Sequence, residues 1–263
     1  MRSPLYAAIA PALERLPEDR WPSHDELSAA ASGIVTARGM ALRFVKPREH
    51  GDRERRYYEL RIAAIGEVET RPESWHDFFN AIAWLAWPKA KAAINAQHSA
   101  ILEERGEEES KRRSPLRDAL TLFDEGGVVV ASSAPDLLRL VKDFEWKQLF
   151  WDRRPELEQH MRFFAFGHAL CEQALTPYLG MVAKTVFIPA GDLIALPARE
   201  QLARADALIA AHFRERANFA SPKAMAPMPV LGVPGWHPDT ARESFYDDAQ
   251  HFRSKEKVHG HGR

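Results

Sequence analysis

A single cysteine, Cys171, stands among 263 residues, so no intramolecular disulfide can form and no thiolate cluster can hold zinc. A lone thiol suits a reducing compartment. Long apolar runs are missing too. The longest uncharged one, Phe78 to Trp87, is ten residues and contains Asn80, whereas a membrane-spanning helix needs about 20. Neither sign of charge is in excess: 36 Lys and Arg face 37 Asp and Glu, a formal net of -1. No global field recruits nucleic acid or anionic lipid. Nucleic-acid binding, for which Arg112, Arg113, Arg153 and Arg154 would have to cluster, ranks below the other readings. The chain also lacks a phosphate-cradling G-x-x-x-x-G-K loop, a dinucleotide G-x-G-x-x-G, a G-x-S-x-G elbow and an H-E-x-x-H helix. Its first residues, "MRSPLYAAIAPALERLP", only loosely imitate an export signal, because Pro11, Glu14 and the weakly hydrophobic alanines argue against one. The expectation is a soluble, cytoplasmic chain.

Aromatic residues are plentiful: seven Trp and 14 Phe can supply a large core, each burying on the order of 150–250 Å². The spacing predicts a small helix over 4–16. A second runs over 23–32, opened by Ser23 and Glu26 in capping-box spacing. A strand is expected at 39–45 and another strand or an irregular extended segment over 57–68, then a helix at 74–87 that resumes after Pro88 to about Glu104. In "DALTLFDEGGVVVAS" two alternating runs flank Gly126-Gly127, the pattern of a β-hairpin over 118–132 turning on two glycines. Helices follow at 135–151 and, from Pro155 at its first turn, to about Leu175. A buried strand lies within 181–194 and an amphipathic helix at 203–216. Beyond Ala217 the chain turns rich in Pro and Gly. The predicted fold is α+β: one helix-dominated domain over 1–216 with a small antiparallel sheet that includes the hairpin. Residues 217–253 form an extended arm packed on it, and 254–263 a frayed tail. The mixed-sign runs at 48–56 and 103–113 read as solvated segments.

The stretch "SWHDFFNAIAWLAWPKAKAAINAQH" sets His76, Asp77, Asn80, Asn95 and His98 among Trp and Phe. Helix 74–87 is apolar nearly all round, hence buried. Asp77 stands three residues after Ser74, so an N-terminal capping role suffices for it. His76 and Asn80, four apart on one face, have no such local role and need partners, since an unpaired buried polar group costs roughly 1–3 kcal/mol. They are expected to face an interior polar site shared with His168. In "FGHALCEQALTPYLG", His168 and Glu172 are again four apart, which suits either a shared metal, a carboxylate-fixed histidine tautomer, or an ordinary helical hydrogen bond. Gly167 permits another element to approach closely. Cys171, with apolar neighbours and no base beside it, reads as a buried structural thiol. A third cluster, Arg117, Asp118, Asp124 and Glu125, borders the expected hairpin. On one continuous strand Asp118 and Asp124 would be about 20 Å apart, too far to share an ion.

The blocks "TRPESWHDFFNAIAWLAWPKAKAAINAQH", "RDALTLFDEGGVVV", "FGHALCEQALTPYLG" and "PVLGVPGWHPDTARESFYDDAQHFR", in that order, resemble a bacterial family catalogued as domain of unknown function 3025, over roughly residues 35 to 253. The resemblance implies a single bacterial cytoplasmic domain and no particular substrate. His76, Asp77, Asn80, Asp118, Asp124, His168 and Glu172 fall inside its blocks. Two readings stay open. In the first, a metal-assisted hydrolase uses His76, His168 and Glu172 as ligands to zinc, manganese or iron, with Asp124, Asp118 and Asn80 as catalytic groups. It requires the His76 and His168 side chains to lie within about 10 Å of each other, since zinc–nitrogen bonds are near 2.1 Å. In the second, a non-catalytic binding or adaptor protein, the same residues form a core hydrogen-bond network and an aromatic surface docks a partner. Neither a small-molecule nor a peptide ligand is specified, and neither is the oligomeric state.

Overall fold

A computed structural model describes residues 3–48 and 58–255. Most of the 48–56 run, Tyr57 and the tail 256–263, with His259 and His261, lie outside the described residues. After short helical turns at the start of the chain, α1 (His24–Ala30) opens on the expected capping box of Ser23 and Glu26. Strand β1 (Arg43–Val45) precedes α2 (Tyr58–Ile65) and β2 (Glu67–Glu69). Then come α3 (Trp75–Ala86), α4 (Pro88–Arg105), α5 (Pro115–Gly126), β3 (Gly127–Ser132), α6 (Pro135–Asp143) and, past a π-helical turn at Gln148–Asp152, α7 (Arg154–His160). Strand β4 (Met161–Ala165), α8 (His168–Gln173), β5 (Val182–Pro189), α9 (Ala198–His212) and β6 (Ala226–Pro229) complete the order.

The main sheet runs β4-β3-β5-β6. All six residues of β3 are buried, as a continuous apolar run covered on both faces should be. It pairs antiparallel with β4, Val128 opposite Ala165, and parallel with β5, Val129 opposite Val186. The second sheet, β1 with β2, is wholly parallel, because α2 carries the chain over between the strands. The helix-dominated α+β class holds, but the sheets are mixed and parallel where antiparallel pairing was expected.

No hairpin forms at 118–132. Ser114 accepts the Arg117 N–H at the N-cap, Pro115 sits at the first turn, and Ala119, Leu120 and Phe123 bury one face of α5. The alternation of Leu120 and Leu122 imitated a strand, yet Leu122 points outward. Gly126-Gly127 is a helix-to-strand junction rather than a turn. Gly127 is needed for space: a Cβ there would lie 2.4 Å from the Phe123 carbonyl oxygen.

Three further expectations fail. Residues 58–65 are helical rather than extended, with Ile62 and Ala63 buried against α4. The helix predicted from Pro155 to Leu175 breaks into α7, β4 and α8, because "MRFFA" edges the sheet instead. Helix 135–151 likewise stops at Asp143, where Phe144 takes a left-handed conformation. The segments at 74–104, 181–194 and 203–216 fold as predicted in kind. One hydrophobic cluster runs from Leu5 to Phe252 and takes in Val230, Leu231, Phe245 and Tyr246 of the Pro- and Gly-rich stretch. Among the described residues no helix is long and apolar enough to cross a membrane.

Candidate functional site

Helix α8 packs on α3 and α5, and α4 follows α3 through Trp87 and Pro88. Their facing sides carry one connected set of polar groups. The deepest is Lys91, 5% exposed, on an alanine-rich stretch of α4. Its Nζ donates to both carboxylate oxygens of Asp124, at 2.7 and 2.8 Å, and to Asn80 Oδ1 at 2.9 Å. Three ammonium hydrogens thus meet three acceptors. Asn80 Nδ2 in turn donates to the Tyr58 hydroxyl at 3.0 Å. On the other side of Asp124 stands His168, the first residue of α8. Its Nδ1 lies 2.8 Å from the Asp124 carbonyl oxygen and 3.6 Å from Oδ2 of the same residue. This approach depends on Gly167, where a Cβ would come within 2.3 Å of the Glu125 carbonyl oxygen.

The set reaches the surface through His76. Its Nε2 faces His168 Nε2 at 3.3 Å, ring against ring edge, while its Nδ1 meets Asp77 Oδ1 at 3.2 Å. Asp77 is held by Arg71, which donates from its backbone N–H, Nε and Nη2 at 2.7–2.9 Å. The capping role expected for Asp77 is therefore only part of what it does. Ser74 does accept the Asp77 N–H, but the carboxylate turns to Arg71 and His76.

Burial alone would raise the Asp124 carboxyl; Lys91, with His168 behind it, overcomes that and holds it below the ordinary range. Asp77 is likewise penalised by burial and carried well below its usual value by Arg71 and His76. Burial lowers His168 to about 4. The hydrogen bond to Asp77 outweighs partial burial at His76 and raises it. Burial raises the Tyr58 hydroxyl.

Two of these contacts orient the ring hydrogens. A carbonyl oxygen only accepts, so His168 Nδ1 carries hydrogen. An ionised Asp77 only accepts, so His76 Nδ1 carries hydrogen. Were both rings neutral, two lone pairs would confront each other across 3.3 Å. A hydrogen on one of the two Nε2 atoms relieves this contact; the hydrogen bond to Asp77 raises His76 while burial lowers His168, so His76 is the ring favoured to carry it.

The structure brings together His76, His168, Asp124 and Asn80 from the predicted set. Glu172 lies one turn beyond His168 and makes no hydrogen bond or ion pair with it, although its charge reaches His76 and Arg71. Asp118 is in the first turn of α5, half-exposed, 3.8 Å from Arg113, and does not join. Among the described residues no three or more His, Cys, Asp and Glu are grouped so as to hold a metal ion. The ring nitrogens of His76 and His168 meet the distance requirement set for shared ligands, yet find no third donor from Glu172. Lys91, Tyr58 and Arg71 were missed. The available signal was periodicity: Lys91, Asn95 and His98 recur at i, i+4 and i+7, a polar stripe along α4. Asn95 donates to Glu59, and His98 accepts from Arg117. Cys171 is buried, its thiol pushed up to about 12 by desolvation, as expected of a structural residue.

Residues 42–256 match the family described as Protein of unknown function (DUF3025). The chain belongs to that family. The match takes in all four helices and every side chain of the site. No curated protein and no solved structure matches the chain.

Proposed function

We infer that this DUF3025 chain is an enzyme of acid–base chemistry, a hydrolase in the first instance, that moves the proton held between His76 and His168. The observation that supports the reading is the pair of facing Nε2 atoms with both Nδ1 positions already committed. His76 is 42% exposed at its side chain and His168 6%, so a substrate meets only the outer ring. The inner ring is a fixed neutral base whose tautomer is set by Asp124 and, through it, by Lys91. Such an arrangement lets His76 give its proton to a leaving group, or hand it inward and activate water, without any metal.

The alternative of a non-catalytic protein with a core network draws on one observation: Tyr58, Asn80, Lys91 and Asp124 satisfy one another inside the fold. Hydrolysis of a panel of carboxyl esters, amides and phosphate esters separates the two. Wild type is compared with His76→Asn, His168→Asn and the control Asp118→Asn. The enzyme reading expects turnover lost by about 10²-fold or more in the first two, the usual weight of an acid–base group, and kept in the control. Equal rates in all four proteins would refute it.

A further inference from the structure

A cleft away from the histidines shares no lining residue with them. Its volume is about 830 Å³, within the 300–1,000 Å³ or so of small-molecule sites. Four segments meet around it: the chain start at Pro4, α7 with Arg154 and Glu158, the loop after α8 at Pro177, and residues 234–241. The last is the "PGWHPDTA" part of the family's final block, for which the histidine site has no use.

Arg154 is the unusual group. Its Nε donates to the Phe150 carbonyl at 2.9 Å, and its Nη2 to the Thr240 carbonyl at 2.6 Å and the Tyr246 hydroxyl at 3.1 Å. The guanidinium stacks 4.8 Å from the Trp151 ring. All these partners are neutral. Among the described residues no carboxylate pairs with Arg154, and its Nη1 bonds nothing. Glu158, one turn on, lines the same cleft without reaching it. Two other groups in the lining, His237 and Trp236, present donors. His237 Nδ1 accepts the Asp239 N–H at 3.2 Å, so its Nε2 carries the ring hydrogen. Trp236 Nε1 has no partner among the described residues. Around these donors the walls are rings: Trp236, Pro177, Pro234 and Pro238. The contrast with Arg153 next door is instructive, because that cation is paired with both Asp136 and Glu156.

We propose that this cleft binds a small organic anion, its carboxylate or phosphate on Arg154 and His237 and its ring or apolar body on Trp236 and the prolines. A planar cation fixed by neutral acceptors, with one edge unused, is oriented in advance for an anionic group. The rigid prolines add contact surface at little cost in conformational entropy.

The test is calorimetric titration of the whole protein with 1-naphthoate, 1-naphthyl phosphate and 1-naphthamide, the last keeping the body without the charge. At least one acid should bind about tenfold or more tightly than the amide, the weight of one charge-assisted hydrogen bond; the better acid identifies the preferred anionic group. Arg154→Gln should remove that preference. Because Arg154 also ties α7 to residues 240 and 246, Trp236→Ala serves beside it. Its near-ultraviolet dichroism reports the fold, and affinity for the acid should fall about tenfold. His76→Asn should bind like wild type, which separates this site from the proposed catalytic one. Equal affinity for acid and amide, no binding of either acid up to about 10 mM, or undiminished binding by a folded Trp236→Ala protein would overturn the proposal.

Discussion

Replacing Lys91 by Met keeps the length and most of the volume of the side chain and removes one buried charge. The structure sets the size of the consequence. Lys91 is 5% and Asp124 17% exposed at the side chain, and the ammonium touches both carboxylate oxygens. At a separation near 4 Å and an effective dielectric constant near 20, such an attraction is about 4 kcal/mol. The Met variant forfeits it and strands Asp124 in a low-dielectric interior. Asn80 Oδ1 loses its donor as well. Breaking one partner of a buried pair typically costs about 3–5 kcal/mol, and a loss in that range is expected in urea unfolding at neutral pH, followed by tryptophan fluorescence and checked calorimetrically. The double variant Lys91→Met/Asp124→Asn carries no stranded charge, so it should recover stability to within about 1–2 kcal/mol of wild type. The two results form one test. If the single variant loses less than about 1 kcal/mol, the pair is solvated and the network is ordinary surface chemistry. If the double variant is no better than the single, the cost arises from packing around Trp84, over whose ring Nζ sits at 5.4 Å, and not from charge.

Three further expectations rest on other observations. Gly167→Ala puts a methyl 2.3–2.6 Å from backbone atoms of Glu125 and Gly127, none of which can rotate away; a loss of about 2 kcal/mol and a fall in Tm of about 4–8 °C are expected, and an unchanged Tm would refute the tight approach of α8. Asp206 accepts the N–H groups of Lys89 and Ala90 at 3.1 and 2.8 Å, and burial raises it from 3.8 to about 6. An acid raised on folding stabilises the fold as pH drops from about 6 towards 4; Asp206→Asn should therefore remove up to about 3 kcal/mol of pH dependence in that window, and identical slopes for both proteins would refute the burial. His168 acts in the opposite sense. A base lowered from 6.5 to about 4 contributes stability that is complete above pH 6.5 and lost towards pH 4, so His168→Asn should flatten the acid side by about 3 kcal/mol relative to wild type, while a parallel curve would place the imidazole in water.

What the sequence could disclose of the fold depended on how local the deciding force was. Helix α3 and the start of α4 were legible because Ser74, Pro88 and a ten-residue apolar run act within the segment itself. The 118–132 segment misled for the converse reason. Gly126-Gly127 is compatible with a hairpin turn and with a junction, and what decides is the contact of Gly127 with Phe123 together with the pairing of β3 between β4 and β5, both tertiary. Residues 161–165 illustrate the same limit: "MRFFA" follows a good helix without any breaker, and only an open sheet edge beside β3 draws it out of the helical path.

For the site, the side chains that could be named in advance were those that looked costly where they stood. Asn80 and His168 have no partner within their own helices, His76 has only its neighbour Asp77, and each obtains a partner from another helix. Glu172 and Asp118 were chosen for spacing instead, and spacing on a single element does not determine which way a chain turns in space. Lys91 passed unnoticed because lysine in an alanine-rich helix ordinarily marks the solvent side. Here it marks the interior: its three acceptors come from α3 and α5, and neither helix could be assigned to its neighbourhood before the fold was known. The acid–base reading rests on that same convergence. The His168 tautomer is set by a carbonyl at the end of α5, and Gly167 is what allows that carbonyl so close. The proposed proton between His76 and His168 thus depends on three packed helices at once, since His76 comes from α3, His168 from α8 and the carbonyl that orients its ring from α5.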